Sequence, residues 1–264
     1  MMGARRIHGF LIDIKNSLAS FNIWGSILSV TLLTFLLPTH GCLLDRLFEL
    51  YKGPPFYFMN DGGLMRFMAW MMPHTMVSVI IGKETELLIE CQRLRLPRYR
   101  HRISFWLSHS IKTVIICTIY YSLQFILIMA LTMLTGNNMP GVSSQIGHLM
   151  HASIDNTCLL IILLFIRVCP PMFVILQTQS LFHIAFRSAY VGGIAFILLV
   201  AAPAFFPENS FSKYIVGNWM ILSRSIYMDS QSTINDMTVI IGVSTIFLLI
   251  QALGFCLLTR KNWY

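Results

Sequence analysis

The chain has 264 residues, of which 56% are hydrophobic and only 11% charged, with a mean hydropathy of +0.68. A water-soluble domain carries about 25% charged residues, so the composition excludes an ordinary soluble protein and indicates an all-α integral membrane protein. The net charge of +8 is not a nucleic-acid signature here, because the positive-inside rule produces the same basic excess, and no nucleic-acid partner is expected.

The N-terminal segment RRIHGFLIDIKNSLASF places Ile7, Phe10, Leu11, Ile14 and Leu18 on one helical face. Arg5, Arg6 and Lys15 occupy the polar side, which predicts an interfacial helix over residues 1–20 on the inner leaflet. No small-residue cleavage site precedes a soluble mature domain, so no cleavable signal peptide is expected. Apolar runs approaching the roughly 20 residues that cross a bilayer predict six spans. They are Phe21–Leu37, Leu64–Ile81, Ser104–Leu134, Thr157–Leu176, Ser188–Phe206 and Met237–Leu258. None of the loops on the outer side is long enough for a folded domain. The segment 207–236, with Tyr214, Trp219, Ile221 and Tyr227, reads as an extracytoplasmic interfacial or re-entrant hairpin. The whole of residues 1–264 is read as one transmembrane domain, without internal repeats.

Charge fixes the expected orientation. Arg5, Arg6 and Lys15 precede the first span, and Lys83, Arg93, Arg95, Arg98, Arg100, Arg102 and Lys112 lie between the second and third. Arg187 separates the fourth and fifth, and Arg260 and Lys261 close the chain. The other side has only Arg46, Lys52, Lys213 and Arg224, so both termini are expected in the cytoplasm of a multi-pass plasma-membrane protein. The basic loop contains KETELLIECQRLRL, which is helix-competent up to Pro97. Its stripe of Leu87, Leu88, Cys91 and Leu94 is flanked by Glu86, Glu90 and Arg93. By topology alone this loop is a solvated or lipid-facing orientation signal.

Catalytic motifs are missing. There is no GxxxxGK[ST], no HExxH and no Gly-rich dinucleotide fingerprint. The six cysteines, Cys42, Cys91, Cys117, Cys158, Cys169 and Cys256, form no CxxC pair and read as apolar packing residues. His148, His151 and Asp155 would share a helical face, but their spacing equally suits a polar interfacial turn, and no metal site is expected. No carboxylate falls inside the six spans as drawn, which leaves His74 as the intramembrane titratable group and disfavours proton-driven transport. Arg167 falls within the fourth span beside Pro170 and Pro171. It reads either as part of a translocation path or as a snorkelling residue near a span boundary. Arg66 reads as a snorkelling anchor, and the methionines of the second span as packing residues.

The stretch MMPHTMVSVIIGKETELLIECQRLRLPRYRHRISFWLSHSIKTVI resembles the type-2 permease subunits of ABC exporters. In that family a span ends in an apolar-Gly stretch, followed by an acidic residue, a short coupling helix, a basic R-x-R segment and the next span. Gly82, Glu84, Glu86, Arg98, Arg100 and Trp106 stand at comparable places. LFHIAFRSAY resembles the family's tight fourth-to-fifth-span loop, and LLTRKNWY its basic tail. The layout covers the whole chain, and its finer likeness is to small six-span permeases of peptide-antibiotic export or immunity systems. The resemblance implies a coupling loop over residues 83–103. Glu84, Glu86, Leu87, Leu88, Cys91, Leu94, Arg98 and Arg100 would there meet a separate cytoplasmic ATPase. It implies a translocation path, for which Arg167, Pro170 and Pro171 are the candidates, and an amphiphilic peptide or lipid as substrate. It also implies no cofactor in this chain, ATP and Mg on the partner, and pairing with a second copy or a paralogous permease among membrane lipids. The rival readings are a non-transporting membrane sensor or assembly partner, and a membrane-embedded enzyme.

Overall fold

The structure is a computed structural model that describes residues 21–34, 42–54, 63–90, 102–136, 157–205, 212–228 and 234–260, with isolated positions at 12, 14–16, 37, 139, 143 and 232. The described elements are helical. In chain order they are α1 (Phe21–Leu33), α2 (Asp45–Tyr51), α3 (Gly63–Glu90), α4 (Arg102–Leu134), α5 (Thr157–Phe186), α6 (Ala189–Phe205), α7 (Val216–Trp219) and α8 (Asp236–Arg260). Short 3-10 turns at Ser212–Tyr214 and Leu222–Arg224 flank α7.

Four helices are long and apolar enough to cross a membrane: Leu64–Glu90, Ser104–Leu134, Thr157–Phe186 and Asp236–Leu258. The expected first and fifth spans correspond to shorter apolar helices, α1 with 13 residues and α6 with 17. Four long spans, rather than six, are therefore what the described helices establish. The predicted interfacial helix lies mostly outside the described residues; of its positions, Ile14 is buried and Lys15 exposed.

The solvent preferences are those of a protein in lipid. Trp24, Leu28 and Leu32 of α1, Ile194, Ile197 and Leu198 of α6, and Ile240, Ile241, Leu248, Leu249 and Leu253 of α8 are exposed. Meanwhile His74, Ser78, Thr85, His109, Ser110, Gln124, Gln177, Gln179, Ser180 and His183 are buried. In lipid the apolar surface needs no cover, whereas polar groups must find partners inside the bundle.

Helix α5 is the central element and packs against α3, α4, α6, α7 and α8. It carries Pro170 and Pro171 in its interior, and these lack the N–H groups that would bond the carbonyls of Ile166 and Arg167. It ends at Arg187, which adopts a left-handed φ of 53°, and the Ser188 N–H bonds the His183 carbonyl at 3.3 Å. That Schellman-type stop reverses the chain into α6 at once, as the tight loop expected there requires.

Two close approaches of backbone and aromatic ring lock α8 in place. A Cβ on Gly242 would fall 2.2 Å from the Trp219 ring, and one on Gly254 would fall 2.3 Å from the Trp106 ring. Only glycine leaves room for these contacts.

Candidate functional site

Three polar clusters lie within the bundle, and the candidate site is built from them. At one end, α3 continues without interruption past Ile81 to Glu90. The expected break into a span and a separate coupling helix is not present over residues 82–90. Lys, Glu and Leu are good helix formers, and no proline stands before Pro97 to stop the helix. Glu84 turns inward and pairs with Lys112 of α4 at 2.5 Å. Leu88 is buried against the bundle, whereas Leu87 is 46% exposed and Lys83, Glu86 and Glu90 are exposed beside it. The apolar stripe expected to face outward is thus divided: Leu87 points out and Leu88 in. Cys91, Leu94, Arg98 and Arg100 lie outside the described residues.

Just above this end, hydrogen bonds join four helices. Ser78 of α3 donates to Gln179 of α5 at 2.8 Å, and the Gln179 amide returns a bond to the Ser78 carbonyl at 3.1 Å. The Thr85 and Ser180 hydroxyls meet at 3.0 Å. Ser110 of α4 lies 3.0 Å from Gln177 Oε1 of α5 and 3.2 Å from Gln251 Oε1 of α8. One hydroxyl proton cannot serve two oxygens, so one carboxamide must turn its NH2 toward Ser110. His109 and His183 are buried nearby, and the Trp106 ring lies tilted beside His109 with ring centroids 5.9 Å apart.

At the other end, α2 is a buried helix within the loop expected between the first and second spans. Asp45, Arg46, Leu47, Phe48, Leu50 and Tyr51 are buried. Asp45 holds the insertion in place by accepting from the Cys42 N–H at 3.1 Å and the Ser143 N–H at 2.9 Å. The Tyr51 hydroxyl donates to Gln124 of α4, and His74 of α3 meets the Tyr121 hydroxyl at 2.7 Å. Trp70 closes the nest edge-on to His74, with centroids 4.9 Å apart. His74, expected as a solitary intramembrane group, is part of this aromatic network.

Segment 212–228 packs alongside. Gly53 ends α2 at a left-handed φ of 73°, and a Cβ there would fall 2.9 Å from Ile221. The Ser223 N–H bonds the Lys52 carbonyl at 2.8 Å, and fully buried Arg224 bonds the Pro54 carbonyl at 3.2 Å and Asn218 at 2.8 Å. Val216–Trp219 is wholly buried. These residues pack into the protein rather than lying on its surface.

Arg167 lies between the two ends. It is fully buried, about 15 Å along the α5 axis from Thr157. Its Nη2 lies 2.7 Å from Oδ1 of Asp236, the first residue of α8. The guanidinium also sits over the Tyr227 ring, 5.8 Å from the centroid, and the Tyr227 hydroxyl donates to the other oxygen of Asp236. Burial, then the bond to Asp236, pushes the Tyr227 phenol up to about 12, so it keeps its proton at neutral pH. The carboxylate that no span seemed to contain is therefore supplied at a span's first residue. A charge partner so distant in sequence leaves no periodic signal. Among the described residues no group of three or more His, Cys, Asp and Glu is arranged to hold a metal; His148, His151 and Asp155 lie outside them. Compared with known protein families, curated proteins and solved structures, the chain matches none.

Proposed function

We propose that this chain is the membrane-spanning permease subunit of an ATP-driven ABC exporter that couples to a separate cytoplasmic ATPase. The observation that carries the reading is the extension of α3 beyond Ile81, with Lys83, Glu86, Leu87 and Glu90 exposed on it, and in the sequence a basic stretch follows over residues 93–102. A chain without a P-loop motif needs its ATP chemistry from another protein. A rigid helix that begins in the bundle and ends in a charged, partly apolar face is suited to receive force from it. The inward side of the same helix is fastened by Glu84–Lys112, Ser78–Gln179 and Thr85–Ser180. A push on Leu87 would therefore move α3, α4 and α5 together.

In this reading α1 and α6 complete a six-helix permease, the Glu84 end and both termini are cytoplasmic, and α2 and segment 212–228 dip in from outside. The partners are the ATPase, a second permease copy or paralogue, and membrane lipids. The substrate is an amphiphile, either peptide or lipid. The test is affinity purification of the tagged chain from its native membrane. A P-loop ATPase should co-elute in stoichiometric amount. Elution of the chain with no ATPase would favour a sensor or assembly protein instead.

A further inference from the structure

We infer that Arg167 is an oxyanion-binding point for an amphiphile, with Asp236 as its resident counter-ion; this rests on the permease reading only for the claim that the bound molecule is cargo. A guanidinium in a membrane-spanning helix is costly unless something uses it. Arg167 is 0% exposed, and its charge is matched by Asp236 at 2.7 Å. Asp236 engages only one corner of the guanidinium, Nη2. Nε and Nη1 of Arg167 have no hydrogen-bond partner among the described residues. A planar fork of five N–H donors is suited to take a carboxylate or phosphate in two parallel bonds, and here the fork is poorly used.

The surroundings indicate how an anion would reach it. The Asp236 side chain is 35% exposed while that of Arg167 is 1% exposed, so an anion approaching from outside the bundle meets the carboxylate before the guanidinium. Tyr227 holds the far oxygen of Asp236, which gives the displaced carboxylate a place to stay. Apolar Leu160, Leu163, Leu164 and Val168 lie within a turn or two of Arg167 on α5. The chemistry that fits is a single oxyanion head on an alkyl tail. Its source is either a carboxylate, as on a fatty acid or a peptide C-terminus, or a phosphate, as on a lipid headgroup.

The experiment measures equilibrium binding of labelled decanoate and decyl phosphate to the purified full chain in maltoside micelles, with decanol and decyltrimethylammonium as competitors. Both anions should bind saturably, and neither the alcohol nor the cation should displace them. Arg167→Gln should weaken binding by about tenfold or more, and Asp236→Asn should strengthen it about tenfold, because the resident carboxylate no longer competes. Tighter binding of decyl phosphate than decanoate would assign the site to phosphate headgroups, and the reverse to carboxylates. Equal displacement by decanol would overturn the inference, as would unchanged binding in Arg167→Gln or weaker binding in Asp236→Asn. If Arg167→Gln does not fold, the headgroup comparison on the wild type and the Asp236→Asn arm decide. No ATPase is needed for these measurements, so their failure is distinct from failure of the chain to co-purify with one.

Discussion

Trp106 occupies the space where a Cβ on Gly254 would stand, and Gly193 of α6 has nothing within 4 Å of where a Cβ would stand. These two glycines should therefore answer oppositely to alanine. Gly254→Ala forces the ring or the helix to move and should cost about 1–3 kcal/mol. Gly193→Ala should be neutral or stabilise by up to about 1 kcal/mol through helix propensity. Thermal unfolding of each variant in detergent checks both. Tyr227 gives a second test at this scale. Its folded pKa of about 12 stands above the ordinary 10, so its contribution is complete below pH 10. It is lost as pH rises toward 12, because only the unfolded phenol ionises in that window. The wild type should lose thermal stability relative to Tyr227→Phe between pH 9 and about 11.5; a constant difference would mean that the phenol is not held as described. The sequence exposed Arg167 as anomalous but concealed its answer. Its partner begins another helix, and a long-range ion pair follows from packing rather than from local pattern. The same holds for Tyr51 and His74, whose partners Gln124 and Tyr121 come from α4.

Helix α3 shows what was legible in the elements and what was not. The apolar runs located α4, α6 and α8 and the start of α5, which continues to Phe186 past the expected end at Leu176, because membrane helices are marked by composition whether they face lipid or the bundle interior. The apolar run of α3 ends at Ile81, where charge begins, yet charge marks where lipid ends, not where a helix ends. Helix α2 leaves no signal in the sequence because DRLFELY is too short and too polar to indicate burial; its place depends on long-range contacts made by Asp45 and Tyr51. The inward and outward faces of the last turns of α3 yield a sharp pair of variants. Leu88→Ala should destabilise the chain by about 2–5 kcal/mol, as a buried leucine does. Leu87→Ala should leave stability within about 0.5 kcal/mol but lower ATPase association. Unfolding in detergent and co-purification of the ATPase separate the two effects. Equal behaviour of the two leucines would contradict the placement of α3.

For the molecule as a whole, a bundle with polar residues inside and apolar residues outside explains both the composition and the glutamine and serine bonds that hold α3, α4, α5 and α8 together. It also sets the two ends apart: one holds α2 and segment 212–228, the other the exposed side chains of Glu86 and Leu87. If the charged end is cytoplasmic, a membrane-impermeant thiol reagent on intact cells should label a chain whose only cysteine is Cys42 and spare one whose only cysteine is Cys91. The reverse pattern would invert the orientation. The central claim is that the exposed end of α3 receives an ATPase. It is tested most directly by placing a photo-crosslinking amino acid at Leu87 and irradiating living cells. The expected result is a covalent adduct that contains a P-loop ATPase, absent when the crosslinker replaces buried Leu88. Adducts with lipid alone at Leu87, in membranes where the chain is correctly inserted, would contradict it.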